Sequence, residues 1–82
     1  MQLNVRLFAT LKDRARTDTL AVDLPETTAT VRDLLSHLAR KSSALAPSLK
    51  TVIVAVNHEF ALSDQPLHPG DEIALFPPVS GG

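Results

Sequence analysis

The most distinctive chemistry of this 82-residue chain lies at its C-terminal end. Gly81 and Gly82 place no side chains beside the terminal carboxylate, so the active site of another protein could enclose it closely. A carboxylate becomes an electrophile when an enzyme uses ATP to convert it into an acyl-adenylate. A sulfur nucleophile would then give a thiocarboxylate, whereas a lysine amine would give an amide bond. The chain has no glycine-rich phosphate loop, so we expect the activating enzyme to be a partner.

Residues 77–82 are expected to form an extended tail that presents this carboxylate. Pro77 and Pro78 lack a backbone N–H, so they end a sheet ladder and begin a stiff polyproline-like segment. Val79 and Ser80 continue the tail towards the glycines, and the extended segment would reach about 20 Å. A frayed terminus is the simpler alternative, but here the diglycine follows the proline pair with no flexible linker. We therefore predict that the tail can be threaded into a partner.

The other side chains give little support for catalysis or metal binding. The chain has no cysteine, which excludes disulfides, thiolate metal sites and thiol nucleophiles. The histidines His37, His58 and His68 are widely spaced, and we expect all three to be ordinary surface residues, with no metal site. The serines lack a nucleophile-elbow context and the carboxylates are scattered. These patterns predict that the chain is not an enzyme by itself.

Composition also excludes several kinds of partner. A net charge of −1 and a pI near 6.2 argue against a nucleic-acid binder, which needs a basic surface. No apolar stretch approaches the length of a membrane span, and the N-terminus does not resemble a signal peptide. We therefore expect a cytoplasmic chain that binds neither nucleic acid nor membrane.

Hydrophobic patterning predicts an α+β domain over residues 1–76, with a mixed sheet and one main helix packed on one face. Strands are indicated at residues 3–7, 20–24, 52–56 and 72–76, with a short edge piece at 60–62. The helix is predicted at residues 30–41, where four apolar residues form one stripe, namely Val31, Leu34, Leu35 and Leu38. The order of elements predicts that the first and last strands are neighbours in the centre of the sheet.

Local signals fix two of the boundaries between these elements. Thr30 and Asp33 have the spacing of a capping box at the start of the helix. Pro69 and Gly70 suit the two central positions of a type II turn before the last strand.

The three phenylalanines are predicted to share the sheet face that the helix leaves uncovered. Phe8 alternates with the apolar residues of the first strand, and Phe76 alternates with those of the last strand, so both should point away from the helix. Phe60 follows a turn and could join them. We hypothesise that these three residues form an apolar patch that seats a partner and aims the tail. The alternative is that they complete a minor core on the second face.

The chain resembles a known family at both ends and in the middle. The C-terminal segment HPGDEIALFPPVSGG at residues 68–82, the opening VRLFA at 5–9 and the AVN at 55–57 are similar to those of the small subunits of molybdopterin synthase, the MoaD-type sulfur carriers. The resemblance covers the whole chain, and the proline pair before the diglycine makes it more specific than a diglycine alone.

This resemblance implies the ubiquitin-like β-grasp fold and a role as sulfur donor. Gly82 would be adenylated by an adenylyltransferase similar to ubiquitin-activating enzymes, with ATP used by that enzyme, and then converted to a thiocarboxylate. The chain itself would bind no cofactor. The tail would enter the large subunit of the synthase, which holds the catalytic side chains, and sulfur would pass to cyclic pyranopterin monophosphate to build the molybdopterin dithiolene. The assembly implied is a heterotetramer.

Three other functions remain open at the level of sequence. Carriers for thiamine or another thio-cofactor belong to the same class, but they are generally shorter and lack the proline pair. A ubiquitin-like covalent modifier would join Gly82 to lysines of target proteins. A plain non-covalent binding module would be indifferent to deletion of Gly81 and Gly82.

Overall fold

The computed structural model of the chain describes residues 1–78. The strands and helices follow one another in this order: β1 (Gln2–Leu7), α1 (Thr10–Ala15), β2 (Thr19–Asp23), β3 (Ala29–Thr30), α2 (Val31–Lys41), a 3₁₀ turn (Ser48–Lys50), β4 (Ile53–Val56), β5 (Glu59–Ala61), β6 (Pro66–Leu67) and β7 (Glu72–Phe76). The main strands and the main helix are thus those that the sequence predicts.

The strands form a mixed five-stranded sheet in the order β2-β1-β7-β4-β5. β1 and β7 run parallel in the centre, with Leu7 opposite Leu75, which confirms the predicted pairing of the first and last strands. Antiparallel β2 and β5 form the two edges. A parallel central pair needs a crossover between its strands, and here the intervening chain contains α2.

One face of the sheet and one side of α2 form the core. Alternate residues of the central strands point inward and are buried, as the period of a strand requires, and they cluster with the buried residues of the helix. The members include Leu3, Val5, Leu7, Ile73 and Leu75 from the sheet and Val31, Leu34 and Leu38 from α2. Leu35, predicted to be on the same stripe, is half-buried.

The capping box predicted at the start of α2 is present. The backbone N–H of Thr30 donates to Oδ2 of Asp33 at 2.9 Å, and the N–H of Asp33 donates to Oγ1 of Thr30 at 3.4 Å. Carbonyl groups of a neighbouring loop satisfy two further donors of this helix end, because Val31 N–H donates to Gln65 O at 3.0 Å and Arg32 N–H donates to Ser63 O at 2.9 Å. The start of α2 is therefore fixed from two directions.

The type II turn predicted before the last strand is also consistent with the structure. Gly70 has a φ of 85°, and the N–H of Asp71 donates to the carbonyl of His68 at 3.1 Å across the turn. In contrast, no pattern predicted the two-stranded sheet of β3 and β6. Two-residue strands are too short to show an alternation, and tertiary pairing alone creates them.

We expect replacement of Thr30 by Ala to lower the free energy of unfolding by about 1 kcal/mol, because α2 loses one half of its capping box. Urea unfolding of the variant and the parent measures the difference. The matched control is Thr28→Ala, at an exposed threonine just before β3. Equal stabilities of the Thr30 variant and the parent would contradict the assigned role of the cap.

Candidate functional site

Phe8 and Phe76 form an aromatic stack on the sheet face opposite α2. Phe8 follows β1 directly, and its N–H donates to the carbonyl of Leu75 at 3.2 Å, which extends the parallel ladder by one residue. This register sets the two rings side by side, with centroids 4.6 Å apart and planes inclined by 14°. The guanidinium of Arg6 lies 5.5 Å from the centroid of the Phe8 ring, within the range of a cation–π contact. Both phenylalanines are half-buried.

Phe60 lies on the same face, on the edge strand β5. It pairs with Ala55 of β4, which pairs in turn with Ala74 of β7, and Ala74 pairs with Arg6 of β1. Residues that are paired across a sheet point to the same face. The two alanines thus form a low floor between Phe60 on one side and the stacked rings on the other. Phe60 is 83% exposed, and together with the half-buried rings of Phe8 and Phe76 it gives a contiguous apolar surface of the kind that marks interaction sites.

An open apolar groove of about 560 Å³ runs from this face to the start of the tail. Its lining contains no charged side chain and comprises Phe8, Ala9, Ile53, Phe60, Phe76, Pro77 and Pro78. β7 ends at Phe76, directly before the proline pair. The tail therefore leaves the sheet from the groove itself, and a partner that covers the groove also contacts the base of the tail.

Ala9 makes the turn that separates the aromatic face from α1. Its φ of 52° and ψ of −128° are the values of the first central position of a type II′ turn, and the N–H of Leu11 donates to the carbonyl of Phe8 at 3.1 Å across it. Glycine is the usual residue at this position, and an alanine there is strained. Sequence reasoning missed this feature, because nothing about an alanine indicates a positive φ.

A set of hydrogen bonds at the start of β7, which we call the bracket at Asn57, holds the hairpin that carries Phe60. Asn57 and His58, with φ of 51° and 71°, form the two-residue turn between β4 and β5. The side chain of Asn57 donates to Oδ1 of Asp71 at 3.0 Å and accepts from the N–H of Glu72 at 3.0 Å. The N–H of Asn57 donates to the Glu72 carbonyl at 2.8 Å. The turn predicted before Phe60 is therefore present, and it is two residues long because Glu59 already belongs to β5.

The three histidines lie apart from one another, but His58 lines a second pocket on the same sheet face, together with Phe8, Phe60 and Phe76. His58 is exposed and its Nε2 lies 3.3 Å from Oε2 of Glu72, and His68 is exposed with Nδ1 3.8 Å from Oδ2 of Asp71. His37 is half-buried on α2. Among residues 1–78, no group of three or more histidine and carboxylate side chains is arranged to hold a metal ion. No helix in the same range is both long and apolar enough to cross a bilayer.

The structure brings together the three phenylalanines and the proline pair that the sequence selected. Phe8, Phe60, Phe76, Pro77 and Pro78 all line one groove; we call Phe8, Phe60 and Phe76 the phenylalanine patch. The remaining predicted site residues, Val79, Ser80, Gly81 and Gly82, lie outside the described residues. The division into a domain at 1–76 and a tail at 77–82, the docking role of the patch and the reaction at Gly82 stay predictions.

The chain is a small protein of the ubiquitin-like β-grasp fold. It has a mixed sheet with a central parallel pair of strands and one main helix across one face, and an aromatic groove lies where the tail leaves the sheet. Comparison with known sequences gives the same result in more detail. The chain belongs to the ThiS family, whose sequence profile matches residues 5–82. It is 38% identical to the molybdopterin synthase sulfur carrier subunit of Escherichia coli, over 98% of this chain and 99% of that protein.

Two solved structures place this chain among related folds. The crystal structure of SAMP1 from Haloferax volcanii, a small archaeal modifier protein, superposes with a TM-score of 0.86 at 36% identity and covers 100% of both chains. A chain in the complex of subunits 1 and 2 of the molybdopterin-converting factor from Helicobacter pylori superposes with a TM-score of 0.70 at 25% identity, again covering 100% of both chains. Relatives of this chain are therefore known both as a modifier and in a complex of two subunits.

We expect the stack of Phe8 on Phe76 to contribute about 0.5–1.5 kcal/mol beyond the area that each ring buries. A double-mutant cycle with Phe8→Ala, Phe76→Ala and the double variant measures this coupling by urea unfolding. The double variant should lose less stability than the sum of the two single losses. Additive losses, within about 0.3 kcal/mol, would show that the two rings do not interact energetically.

Proposed function

We propose that this chain is the sulfur-carrier subunit of a molybdopterin synthase. In this proposal Gly82 is the reacting residue, and its carboxylate is converted to a thiocarboxylate whose sulfur passes to cyclic pyranopterin monophosphate. Two such sulfur transfers to neighbouring carbons of the precursor build the dithiolene of molybdopterin. The chain acts as a donor that is loaded by one enzyme and discharged in another, in the cytoplasm.

The observation that carries the proposal is the similarity to a protein of that name over almost the whole length of both chains. The similarity extends over 98% of this chain, and the family profile reaches Gly82, whereas a match to the fold alone would not separate carriers from other ubiquitin-like proteins. The chemistry of the chain agrees with this role, because two glycines without side chains lead up to the reacting carboxylate and the sequence contains no cysteine thiol.

Loading of the carrier requires two steps on a partner enzyme. The Gly82 carboxylate attacks the α-phosphate of ATP, so that an acyl-adenylate forms and pyrophosphate leaves. Hydrosulfide, or a persulfide held by the loading machinery, then attacks the acyl carbon and AMP departs. With a persulfide, a thiol of the loading machinery cleaves the resulting acyl disulfide, forms a disulfide with the donor and leaves the thiocarboxylate. The partner in the first step is an adenylyltransferase similar to ubiquitin-activating enzymes, because this chain has no ATP-binding loop.

Discharge of the carrier takes place in the large subunit, which supplies the catalytic side chains. The phenylalanine patch docks on that subunit, and Pro77 and Pro78 direct the tail from the groove into its active site. The complex of two subunits solved for the Helicobacter pylori relative supports a partner of this kind. Two carriers on a dimer of large subunits complete the heterotetramer.

The second candidate function is covalent modification of other proteins. It is favoured by the similarity to the small archaeal modifier protein SAMP1 from Haloferax volcanii. Both functions begin with an acyl-adenylate at Gly82 and differ in the nucleophile that follows, which is sulfur for the carrier and a lysine amine for the modifier.

A pull-down from native lysate separates the two candidates. The chain carries its affinity tag at the N-terminus, so that Gly82 stays free, and the captured proteins are identified by mass spectrometry after a denaturing gel. The carrier proposal predicts one non-covalent large partner and a fraction of the chain with oxygen replaced by sulfur at the C-terminus. A ladder of heavier covalent conjugates without that partner would favour the modifier. Deletion of Gly81 and Gly82 is the control that should abolish either chemistry.

We expect Phe60→Ala to weaken binding to the large subunit at least about tenfold, because a central aromatic anchor is worth about 2 kcal/mol or more in an interface. The free energy of unfolding should hardly change, since the ring is 83% exposed. Isothermal titration calorimetry measures the affinity, and urea unfolding measures the stability.

Leu62→Ala is the matched control for this variant. Leu62 is also a large apolar residue, 79% exposed and only two positions away, but it does not line the groove. Its replacement should leave the affinity unchanged. Equal effects of the two substitutions would sink the docking role assigned to the patch.

A further inference from the structure

The strand β2 leaves one edge of the main sheet open. Its ladder with β1 alternates between pairs that exchange hydrogen bonds and pairs that do not. The ammonium group of Met1 donates to Leu24 O at 2.7 Å and Leu24 N–H donates to Met1 O at 2.8 Å, so these residues form an exchanging pair. Leu7 N–H donates to Asp18 O at 2.8 Å at the other end of the ladder. Because exchanging pairs alternate with non-exchanging pairs along the ladder, the residues between these two ends that do not bond to β1 are Thr19, Ala21 and Asp23. Their backbone N–H and C=O groups point away from β1.

One of these three residues is already satisfied within the chain. The Thr17 hydroxyl donates to the carbonyl of Thr19 at 3.0 Å and lies 3.4 Å from its N–H, which donates to it. Among residues 1–78, no protein group bonds the outward N–H and C=O of Ala21 or Asp23. The open part of the edge is therefore short and well defined, and it presents the donors and acceptors that an added β-strand would use.

A groove runs beside this edge, between β2 and α2. It has a volume of about 360 Å³. Its apolar lining comes from Leu20, Ala21, Val22 and Leu38, and its polar lining comes from Asp23, His37, Lys41 and Ser42. Leu20 is only half-buried. The inward-pointing side chains of a strand added to β2 would enter this groove, because residues paired across strands share a face.

Charge at the groove indicates what kind of strand fits. Lys41, in the last turn of α2, lines it and makes no ion pair with any residue in the range 1–78. Asp23 lies at the other end of β2, where its Oδ1 is 3.6 Å from the ammonium group of Met1. Of these two charged groups, Asp23 has a partner within the described part of the chain and Lys41 does not. A carboxylate on a bound segment would therefore complement Lys41.

We propose that the open edge of β2 is a second docking site, which binds an extended segment of a partner protein as an added strand. The segment has apolar residues at alternate positions, which fill the groove, and a carboxylate that reaches Lys41. Backbone hydrogen bonds to Ala21 and Asp23 hold it in register.

A second copy of this chain fits the same edge poorly. In a pairing of two β2 strands, the residues that would face the groove are Leu20 and Val22, and Val22 is 6% exposed because it already packs in its own core. The two α2 helices would add Arg40 and Lys41 from each copy, which are charges of the same sign. A foreign segment supplies both the free apolar side chains and the carboxylate that a copy lacks.

The two docking sites can be occupied together. The residues that line the β2 groove share no member with those that line the groove at the phenylalanine patch. β2 and β5 lie at opposite edges of the sheet. A protein bound at β2 therefore leaves the patch and the start of the tail accessible to a second partner.

The test is an NMR titration of the full-length, isotope-labelled chain with the synthetic peptide acetyl-Ser-Val-Thr-Ile-Thr-Val-Asp-Asp-amide. We expect shifts confined to Thr19–Asp23 and to the last turns of α2, together with slower hydrogen exchange of the Ala21 and Asp23 amides. The control is the same peptide with its alternate backbone nitrogens methylated, which removes the edge-facing donors. No binding, equal binding of the methylated peptide, or shifts at β5 or the patch would overturn the proposal.

Two variants test the backbone and the charge separately. Ala21→Pro removes the outward N–H while the bonds to β1 remain, and should weaken peptide binding about tenfold or more, whereas Ala21→Ser should bind normally. Lys41→Glu keeps the backbone intact and should weaken binding several-fold, whereas Lys50→Glu, on the 3₁₀ turn, should not. Unchanged binding of Lys41→Glu, or self-association of the chain through β2 without peptide, would contradict the proposal.

Discussion

The parallel pairing of β1 with β7 is the constraint on which the rest of the structure depends. The register that puts Leu7 opposite Leu75 assigns alternate residues of both strands to the core. A shift by one residue would exchange the two faces of the strand and expose the leucines. The same register leaves Phe8 beside Phe76 at the end where the chain exits. The buried core and the exposed patch are thus two consequences of one pairing.

The two faces of the sheet have different roles. The inner face and α2 supply the stability, through leucine and valine side chains that are almost completely buried. The outer face leaves aromatic area uncovered, although burial of one such side chain is worth a few kcal/mol at about 25 cal/mol per Å². A domain this small has few residues for its core. Apolar surface left outside that core is therefore available for association, and the stacking of Phe8 on Phe76 shields part of it in the free chain.

The features that could be predicted from the sequence are those with a regular pattern or a local signal. Alternation fixed the main strands, and the side of the sheet on which Phe8 and Phe76 lie follows from their parity. The capping box at Thr30 and the turn at Gly70 each depend on a few adjacent residues. Sequence alone thus reached the α+β class, the central strand pair and the composition of the patch.

The features that could not be predicted depend on contacts between distant residues or on unusual backbone angles. The pairing of β3 with β6 has no periodicity to reveal it, and the bond between Asn57 and Asp71 joins residues 14 positions apart. Ala9 adopts angles that suit glycine, and its strain arises from the need to turn sharply between the patch and α1. The open edge of β2 is visible only once the phase of its hydrogen bonds is known.

The bracket at Asn57 has a further consequence for association. Three hydrogen bonds tie the β4–β5 turn to the start of β7, so the strand that carries Phe60 cannot tilt independently of the strand that leads to the tail. Ordering of these two strands occurs when the domain folds, and little of their conformational entropy remains to be lost when a partner binds. In the proposed complex, a surface ordered in this way would bind as a rigid body. Differences in affinity among its partners should then appear mainly as differences in the lifetime of the complex.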